Sequence, residues 1–453
     1  MTYSIIQKLQ LEGTKRLDAE YYQPEYLENN KKVTEYGFFM MGNIASVVYG
    51  TTPKSAEFYD IGIPFIRSQN FVISLIDQEN LVFCSEKFHR LNNKSKIIPK
   101  DILFAAVGAT IGKLAIVQDS IKQGNINQNL ARVRIKDKKV SPFFIWIFYN
   151  SIIGQLQIKR LVTGNAQPYL NSEQIKLLKV PKLKTEEQFY FKDVYNKING
   201  LTAEAIKICV DAKGLLLDEL KINELNLNDQ LSYITNLSEA EKYKRQDAEY
   251  FQPKYDNLIH HIKQKCNGVK LGDLVTIKKG IEPGAEDYQE EGKPFIRVSN
   301  MSKNGINDNN QKYLCEDLYI KLKKDYEPKK GEILLTKDAS LGIAYLIKQD
   351  VEGIISGGIL RLKLKNNSID SEYLTLCLNS IVGQMQAERD AGGSIINHWK
   401  PEQIKNVVIP ILPREVQNKI SDLVLQSFVA RWKAEYLLEE AKRKVEEAIE
   451  NIN

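Results

Sequence analysis

Arg16-Leu-Asp-Ala-Glu-Tyr-Tyr-Gln-Pro-Glu-Tyr26 returns almost unchanged about half the chain later as Arg245-Gln-Asp-Ala-Glu-Tyr-Phe-Gln-Pro-Lys-Tyr255. Other segments repeat in the same order: Gly50-x-x-Pro53 and Gly280-x-x-Pro283, Pro64-Phe-Ile-Arg67 and Pro294-Phe-Ile-Arg297, Ser151 to Gln157 and Ser380 to Gln386, and Glu173-Gln-Ile-Lys176 and Glu402-Gln-Ile-Lys405. Because this period is far longer than the roughly 20 to 50 residues of solenoid repeats, each copy can bury its own core. The sequence therefore predicts a tandem duplication of a whole domain.

The composition is that of an ordinary globular protein, since 43% of the 453 residues are hydrophobic and 26% are charged. The longest apolar run, Phe143 to Tyr149, is too short to cross a membrane, and the amino terminus lacks the pattern of an export signal. We therefore expect a cytoplasmic protein with no membrane partner. The net charge of +6 permits a polyanionic partner without proving one.

The sequence offers no recognisable catalytic or metal-binding motif. The five cysteines are scattered without a C-x-x-C pair, and only two of the four histidines are neighbours. Gly108-Ala-Thr-Ile-Gly-Lys113 has the wrong spacing for a Walker A phosphate loop, and the motifs of serine hydrolases, zinc proteases and dinucleotide enzymes are missing. We therefore expect a non-catalytic chain with no metal or cofactor of its own.

Each copy combines short strand-like runs with helical stretches such as Pro142 to Arg160 and Glu372 to Arg389. The strands do not alternate regularly with the helices, which favours an α+β fold over a doubly wound sheet. The predicted organisation is a first globular domain at 1–184, a long helix at 185–226, a second globular domain at 227–413 and a long C-terminal helix at 414–453.

Both long helices carry apolar residues at alternating spacings of three and four, which is typical of a coiled coil. These residues are Val194, Ile198, Leu201, Ala205, Ile208, Ala212 and Leu215 in the first helix, and Ile420, Leu423, Ser427, Ala430, Ala434, Leu438, Ala441, Val445, Ala448 and Ile452 in the second. Equivalent helices leaving equivalent domains predict an antiparallel pair with a pseudo-two-fold axis; the alternative is that each helix packs on its own domain. A helix of about 35 residues spans about 50 Å, so such a pair would fix the distance between the domains.

The repeated segments, taken as a set, resemble the specificity subunits of Type I restriction-modification systems. The resemblance covers essentially the whole chain and also includes Lys100-Asp-Ile-Leu103, Gly108-x-x-x-Gly-Lys113 and Asn127-Gln-Asn-Leu130. It implies two target recognition domains that each recognise half of a split, asymmetric double-stranded DNA sequence, held apart by two antiparallel helices. It also implies two methyltransferase subunits docked on those helices, a restriction and translocase subunit for cleavage, and S-adenosylmethionine and ATP on these partners only. Copy two lacks the Gly-Lys and Asn-Gln-Asn elements, which leaves their equivalent roles open.

DNA sequence is recognised mainly by Arg, Lys, Asn and Gln in the major groove, while basic and hydroxyl groups bind phosphate. The residues after each Pro-Phe-Ile are the first predicted contacts: Arg67, Ser68, Gln69 and Asn70 in copy one, and Arg297, Ser299 and Asn300 in copy two. The two arginines coincide although the copies should recognise different bases, so they contact phosphate or brace the fold. Segments that differ between the copies supply the predicted base contacts: Asn125, Asn127, Gln128, Asn129, Gln167 and Tyr169, and Lys337, Ser340, Asn397, His398 and Trp399, with Lys113 as a further phosphate contact.

Simpler interpretations stay open at this stage. The asparagine cluster also suits turn formation, Tyr169 and Trp399 also suit packing, and loops can differ through neutral drift. Two other functions compete with DNA recognition. A protein–protein adaptor with a coiled-coil spine would expose apolar faces and bind independently of salt, and a self-sufficient nuclease would need an acidic metal cluster that the sequence lacks.

Overall fold

The structure of the chain, a computed structural model, describes residues 4–8, 11, 16–54, 58–79, 81–164, 168–308, 310–391 and 398–450. The chain forms two compact units. Unit 1 consists of Met1–Ala203 with Ala430–Asn453, and unit 2 consists of Glu204–Val429. Both units are mixed α and β, as the sequence predicts. None of the helices in the described ranges is both long and apolar enough to cross a membrane.

Unit 1 contains two main sheets. Its helices are α1 (Pro24–Tyr36), α2 (Met41–Ile44), α3 (Glu86–Leu91), α4 (Pro142–Asn150), α5 (Ile152–Leu161), α6 (Ser172–Lys176) and the start of α7 (Thr185–Glu219). Its strands are β1 (Phe38–Met40), β2 (Ala45–Tyr49), β3 (Ile63–Ile66), β4 (Phe71–Val72), β5 (Leu75–Ile76), β6 (Val82–Cys84), β7 (Lys96–Ile97), β8 (Ile102–Ala105), β9 (Leu114–Ile116), β10 (Gly124–Ile126), β11 (Leu130–Ile135) and β12 (Lys179–Pro181). The sheet orders are β2-β11-β8-β9-β5-β4 and β6-β3-β10-β7, and β1 pairs separately with β12.

The six-stranded sheet of unit 1 is buried on both faces. Alternate residues of β8 enter different clusters: Phe104 packs with helices α4 and α5, whereas Leu103 packs with Ile66 and Ile126 of the four-stranded sheet. This two-sided burial explains why β8 is an unbroken apolar run rather than an alternating one. The unit is therefore a three-layer structure of helices, sheet and second sheet.

Unit 2 repeats this arrangement with a second set of elements. Its helices are the end of α7, α8 (Leu237–Tyr243), α9 (Pro253–Lys265), α10 (Leu271–Leu274), α11 (Glu316–Tyr326), α12 (Ser371–Asn379), α13 (Ile381–Asp390), α14 (Pro401–Lys405) and the start of α15 (Arg414–Glu450). Its strands are β13 (Asn267–Lys270), β14 (Val275–Lys279), β15 (Lys293–Ile296), β16 (Met301–Ser302), β17 (Gly305–Ile306), β18 (Lys312–Leu314), β19 (Ile333–Thr336), β20 (Ala344–Leu346), β21 (Ile354–Ile355), β22 (Ile359–Leu364) and β23 (Val408–Ile411). The sheet orders β14-β22-β19-β20 and β18-β15-β21 follow unit 1, while β16 pairs with β17 and β13 pairs with β23.

The repeated Asp-Ala-Glu-Tyr motif connects the start of each copy to a later helix through side-chain contacts. Arg16 Nε donates to Asp18 at 2.8 Å, and the Tyr21 ring lies between the guanidinium groups of Arg16 and Arg160 at 4.5 and 4.1 Å. Arg16 also donates to the Leu161 carbonyl at the end of α5. In unit 2 the same contacts join Arg245, Asp247, Tyr250 and Arg389 near the end of α13. The motif therefore repeats because both copies need this cation–π and ion-pair contact.

A second repeated contact explains the Ser-Ile-x-Gly-Gln segments. The buried Gln157 amide bonds both the N–H and the C=O of Lys179 in β12, at 2.9 and 3.1 Å. Gln386 does the same for Val408 in β23, at 2.7 and 2.9 Å.

The sequence predicts one helical stretch from Pro142 to Arg160, but the structure has two helices, because Ser151 ends α4 and caps α5.

The two long helices each contribute to both units. In unit 1, Ile198 of α7 lies in one apolar cluster with Ala434, Leu438, Ala441, Val445 and Ile449 of α15. In unit 2, Leu216 of α7 clusters with Ile420 of α15, and the Ser427 hydroxyl donates to the Ala205 carbonyl at 2.7 Å.

Two heptad positions differ from the predicted seam. Ala448 is exposed while the next residue, Ile449, is buried, and Leu216 is buried more deeply than Leu215. An α-helix has 3.6 residues per turn, so a seam with a strict period of 3.5 drifts by about 20° per heptad and the neighbouring residue takes its place. Ile452 lies outside the described residues.

The glycines of the two Gly-x-x-Pro segments allow a close backbone approach. A Cβ at Gly50 would lie 2.2 Å from the carbonyl oxygens of Ile126 and Asn127, and a Cβ at Gly280 would lie 2.2 Å from that of Ser356. We predict that Gly50→Ala and Gly280→Ala each lower the free energy of unfolding by about 1–3 kcal/mol. Urea unfolding measures the loss, and hydrogen exchange locates it to β10 or β21.

The matched control is Gly200→Ala in α7, where an added Cβ meets nothing within 4 Å. This change should raise stability by about 0.5–1 kcal/mol, because alanine is the better helix former. Equal unfolding midpoints for Gly50→Ala and Gly200→Ala would contradict the proposed close approach.

Candidate nucleic-acid interface

Two parallel strands bring distant parts of each copy to one edge. In unit 1, β3 and β10 are parallel, with Phe65 opposite Asn125 and Ile66 opposite Ile126. Because parallel strands end at the same edge of a sheet, the residues after Ile66 and after Ile126 become neighbours. The Asn127 N–H donates to the Ile66 carbonyl at 3.2 Å. In unit 2, β15 and β21 make the same pair.

Further segments join this edge in unit 1 through hydrogen bonds. The Thr51 N–H donates to the Ile126 carbonyl at 3.0 Å, and the Gln128 N–H donates to Thr52 Oγ1 at 3.2 Å. The Ala106 N–H donates to the Asn129 carbonyl at 2.9 Å, which places the loop after β8 alongside. We call this set of loops the loop edge of unit 1: residues 50–54, 67–70, 106–113, 127–129, 163–164 and 168–170.

The equivalent backbone contacts build the loop edge of unit 2: residues 280–283, 297–300, 337–343, 356–358 and 398–399. The Ser356 N–H donates to the Ile296 carbonyl at 2.8 Å, and the Lys337 N–H donates to the Gly358 carbonyl at 2.9 Å. The Trp399 N–H donates to the Lys337 carbonyl at 2.8 Å, as the Leu170 N–H does to the Ala106 carbonyl. One backbone frame therefore presents both edges.

Most of the predicted contact residues lie on these two edges with accessible side chains. Those exposed are Gln69, Gln128, Tyr169, Ser299, Ser340 and His398, and those half-buried are Arg67, Ser68, Lys113, Asn127, Asn129, Arg297 and Lys337. Gln167 and Asn397 fall outside the described residues. The DNA contacts predicted for the accessible residues stay a prediction.

Asn125, predicted as a base contact, is instead fully buried inside unit 1. Its Oδ1 lies 2.6 Å from His89 Nδ1, and its Nδ2 donates to Ser95 Oγ at 2.6 Å. A side chain engaged in this way cannot reach DNA, so we assign Asn125 to the fold. The physical reason is position along the chain, because Asn125 lies within β10, between β3 and β7, whereas Asn127 follows the end of that strand.

Three more predicted contacts are also structural. Asn70 and Asn300 are buried, and their side-chain oxygens accept from the backbone N–H groups of Arg67 and Arg297 at 2.9 and 3.0 Å. Trp399 is 1% exposed, and its Nε1 donates to Asp390 at 3.3 Å. These buried side chains stabilise the loops of the two edges from inside the fold, so they are not DNA contacts.

The arginines at the two loop edges, Arg67 and Arg297, each have a buried N–H group without a hydrogen-bond partner in the described part of the chain. The Nε atoms of Arg67 and Arg297 are buried and have no hydrogen-bond partner among the residues that the structure describes. An unpaired buried N–H group costs free energy, so it is rare in native proteins. Within the described ranges, Arg132 and Arg389 inside the fold have an unpaired Nε as well, so this feature is compatible both with DNA contact and with bracing of the fold.

The tips of the two edges carry different chemistry at the same backbone position. Val107 pairs across an isolated bridge with Tyr169 in unit 1, and Asp338 pairs in the same way with His398 in unit 2. The sequence aligns Asp338 with Gly108, but in the structure Ala339, with φ +57°, takes the left-handed position that Gly108 holds with φ +79°.

Asp338 is a residue that sequence reasoning missed. It is 23% exposed and bonds to both Lys337 and His398. Burial alone would raise the pKa of the Asp338 carboxyl, but the hydrogen bonds from Lys337 and His398 outweigh burial and hold that pKa below its usual value. The signal available in the sequence was the position of Asp338 beside the predicted Lys337.

In the described parts of the chain, no group of three or more His, Cys, Asp or Glu side chains could hold a metal ion. The chemistry that both edges offer is hydrogen bonding by amide, hydroxyl, imidazole and cationic groups. This is the chemistry by which proteins contact bases and phosphates.

Comparison with known proteins agrees with this arrangement. The family model described as the Type I restriction modification DNA specificity domain matches residues 34–194 and again residues 263–435. The chain is 21% identical to the Type I restriction enzyme MjaVIII specificity subunit of Methanocaldococcus jannaschii, over 81% of this chain and 79% of that protein. It is 20% identical to the Type I restriction enzyme EcoBI specificity subunit of Escherichia coli, over 86% of this chain and 78% of that protein.

Solved structures of similar proteins include the Type-I restriction-modification system S subunit from M. genitalium and the HsdS subunit from Thermoanaerobacter tengcongensis. The first has a TM-score of 0.37 and 14% identity, covering 91% of this chain and 94% of that chain. The second has a TM-score of 0.28 and 15% identity, with the same coverage. The two family matches span more than half of the sequence and include both loop edges completely. The chain therefore belongs to the family of Type I restriction-modification DNA specificity subunits, as a non-catalytic subunit that recognises DNA.

Proposed function

We propose that this chain gives a Type I restriction-modification complex its sequence specificity by recognising a bipartite, asymmetric duplex, with one loop edge for each half-site. The contrast between Val107 with Tyr169 and Asp338 with His398 on one repeated backbone frame carries this proposal. Two edges with the same frame and different exposed groups suit two different short sequences. On this proposal residues 1–184 and 227–413 are the two target recognition domains.

Groups common to both edges suit the part of DNA that is common to every sequence. Arg67 and Arg297 occupy equivalent positions on the two loop edges, and both side chains are half-buried and so partly accessible to a ligand. Phosphate oxygens accept from guanidinium groups, and phosphate contacts carry no sequence information directly. We therefore assign the two arginines to the DNA backbone.

Arg67→Ala and Arg297→Ala should each weaken binding to specific and unrelated duplexes by a similar factor. Because one phosphate contact is lost, the slope of log K against log salt should fall by about 1. Fluorescence anisotropy over a salt series measures both quantities. Lys138→Ala is the matched control, since it removes the same charge from an exposed residue beyond the far end of β11.

For that control the salt slope should stay at the wild-type value. If the arginine variants instead changed the preferred sequence, the arginines would contact bases. If they altered neither affinity nor slope, they would only brace the fold.

Groups that differ between the edges and reach solvent suit base recognition. In unit 1 these include Gln69 and Gln128, and in unit 2 Ser299, Ser340 and His398. Glutamine amides can bond adenine in the major groove in two places at once. Gln128 is our first choice in unit 1, because its N–H is fixed by Thr52 while its side chain is exposed.

Gln128→Ala should change base preference in one half-site while the free energy of unfolding stays within about 0.5 kcal/mol of wild type. Its matched control, Asn125→Ala, should lower that free energy by about 1–3 kcal/mol, because His89 and Ser95 lose a buried partner. Selection from duplexes with randomised half-sites and urea unfolding measure the two effects. An unchanged preference for Gln128→Ala, or an unchanged stability for Asn125→Ala, would reverse the respective assignment.

The two long helices suit a spacer of fixed length. Helix α7 has 35 residues and α15 has 37, and both carry heptad-like seams. In each unit the first part of one helix shares an apolar cluster with the last part of the other, which supports an antiparallel coiled coil. Such helices are about 50 Å long, and two half-sites one DNA turn apart are separated by about 34 Å.

Inserting one heptad into both helices should lengthen the preferred gap between half-sites by about three base pairs. Seven helical residues add about 10 Å, and each base pair rises about 3.4 Å. Selection from duplexes with variable gaps measures the shift, while the half-sites themselves should not change. A heptad inserted into only one helix is the control, and it should abolish specific binding. A constant gap after the double insertion would refute the spacer model.

We also propose that two methyltransferase subunits dock on these helices and that a restriction and translocase subunit joins them in the cytoplasm. S-adenosylmethionine and ATP would bind only to these partners. One face of α15 supports a protein partner: Leu425, Val429, Trp432 and Tyr436 follow spacings of four, three and four and are exposed by 43%, 37%, 44% and 50%. The rings of Trp432 and Tyr436 stack with their centroids 5.7 Å apart. Exposed apolar groups arranged in this way are typical of a protein interface.

A further inference from the structure

Lys337, Asp338 and His398 form an ionic cluster at the loop edge of unit 2. Lys337 Nζ donates to Asp338 Oδ2 at 2.6 Å, and His398 Nδ1 lies 2.7 Å from Asp338 Oδ1. The side chains differ in exposure, with Lys337 at 12%, Asp338 at 23% and His398 at 60%. The carboxylate is thus fixed from two sides, and the imidazole faces solvent.

The backbone around the cluster is arranged for this contact. A Cβ at Gly358 would lie 3.3 Å from Asp338 Oδ2, so the glycine leaves room for the carboxylate. The next residue, Ala339, has φ +57°, a conformation that costs a residue with a Cβ about 1–2 kcal/mol. Backbone strain of this kind persists where the surrounding structure imposes it, often at functional sites.

The hydrogen-bonding roles in the cluster follow from the partners. A carboxylate only accepts, so Nδ1 of His398 must carry the proton that faces Asp338. The Nε2 atom of a neutral His398 is then an acceptor. Asp338 retains further lone pairs beside it, since each carboxylate has about four acceptor positions. The groups that the cluster presents to solvent are therefore hydrogen-bond acceptors. The positive charge of Lys337 balances the negative charge of Asp338.

We propose that Asp338 and His398 determine the specificity of unit 2 as acceptors for the one hydrogen that base pairing leaves free on the exocyclic amino group of a cytosine or an adenine in one half-site. These amino groups, N4 of cytosine and N6 of adenine, are the donors of the major groove. Lys337 is a positioning residue that fixes the carboxylate and offsets its repulsion from phosphate. The inference rests on the proposed function, and it distinguishes unit 2 from unit 1, where Val107 and Tyr169 offer an apolar group and a phenol.

The test uses the full chain with its methyltransferase partner. Selection from randomised duplexes first identifies the wild-type half-sites. His398→Ala and Asp338→Ala should then lose discrimination by about 10- to 100-fold at one cytosine or adenine position of one half-site, with all other positions unchanged. Tyr169→Ala, the counterpart in unit 1, should affect only the other half-site.

Base analogues that lack the amino group test whether His398 contacts that group. Replacing the selected cytosine by 2-pyrimidinone, or the selected adenine by purine, removes only the amino group. Wild-type binding should weaken by the same 10- to 100-fold, and binding by His398→Ala should weaken by less than about threefold. Equal losses for both proteins would place the amino contact elsewhere and overturn the inference.

Asp338→Asn and His398→Gln guard against a purely structural effect, because each retains a polar side chain that can hydrogen-bond between the two loop segments. A shifted base preference in either variant supports recognition by the cluster. An unchanged preference in both overturns it, even where the alanine variants lose all binding. A wild-type complex with no sequence preference would instead refute the proposed function itself.

Discussion

The parallel pairing of two short strands in each unit, β3 with β10 and β15 with β21, is the constraint on which the loop edges depend. The paired strands are far apart in sequence, yet their carboxyl ends must meet because the strands run in the same direction. The pair lies over a sheet that is buried on both faces, so its position is fixed by packing on the side away from the loops. The accessible groups thus lie on loops that begin and end at packed strands, which suits recognition that depends on fixed geometry.

Buried polar side chains that hydrogen-bond to backbone groups stabilise the same backbone conformation in both copies. Gln157 and Gln386 bond both groups of one strand residue, and Asn70 and Asn300 each accept from the backbone of the preceding arginine. Removing one partner of such a contact leaves a buried group unsatisfied, which costs about 1–3 kcal/mol. These residues therefore recur in both copies although neither apolar packing nor DNA contact requires them.

The exposed side chains at the tips differ between the two copies. Val107 and Tyr169 in unit 1 give way to Asp338 and His398 in unit 2 while the backbone hydrogen bonds beneath stay the same. Even the left-handed position is shared, with glycine in one copy and alanine in the other. A frame of this kind can change its exposed groups without changing its fold, as a protein that must recognise two different half-sites requires.

The sequence by itself determined the duplication, the mixed α and β composition, the two long helices and a set of contact residues, most of which lie on the loop edges. Those features depend on repetition and on local periodicity, which a single chain displays directly. Only the tertiary structure decided which of these residues can be reached. Asn125 and Asn127 look alike in sequence, but Asn125 faces His89 and Ser95 inside the unit while Asn127 emerges at the edge. Likewise the partnership of Asp338 with His398 joins residues 60 positions apart, because burial and pairing are set by contacts between distant segments, which no local pattern encodes.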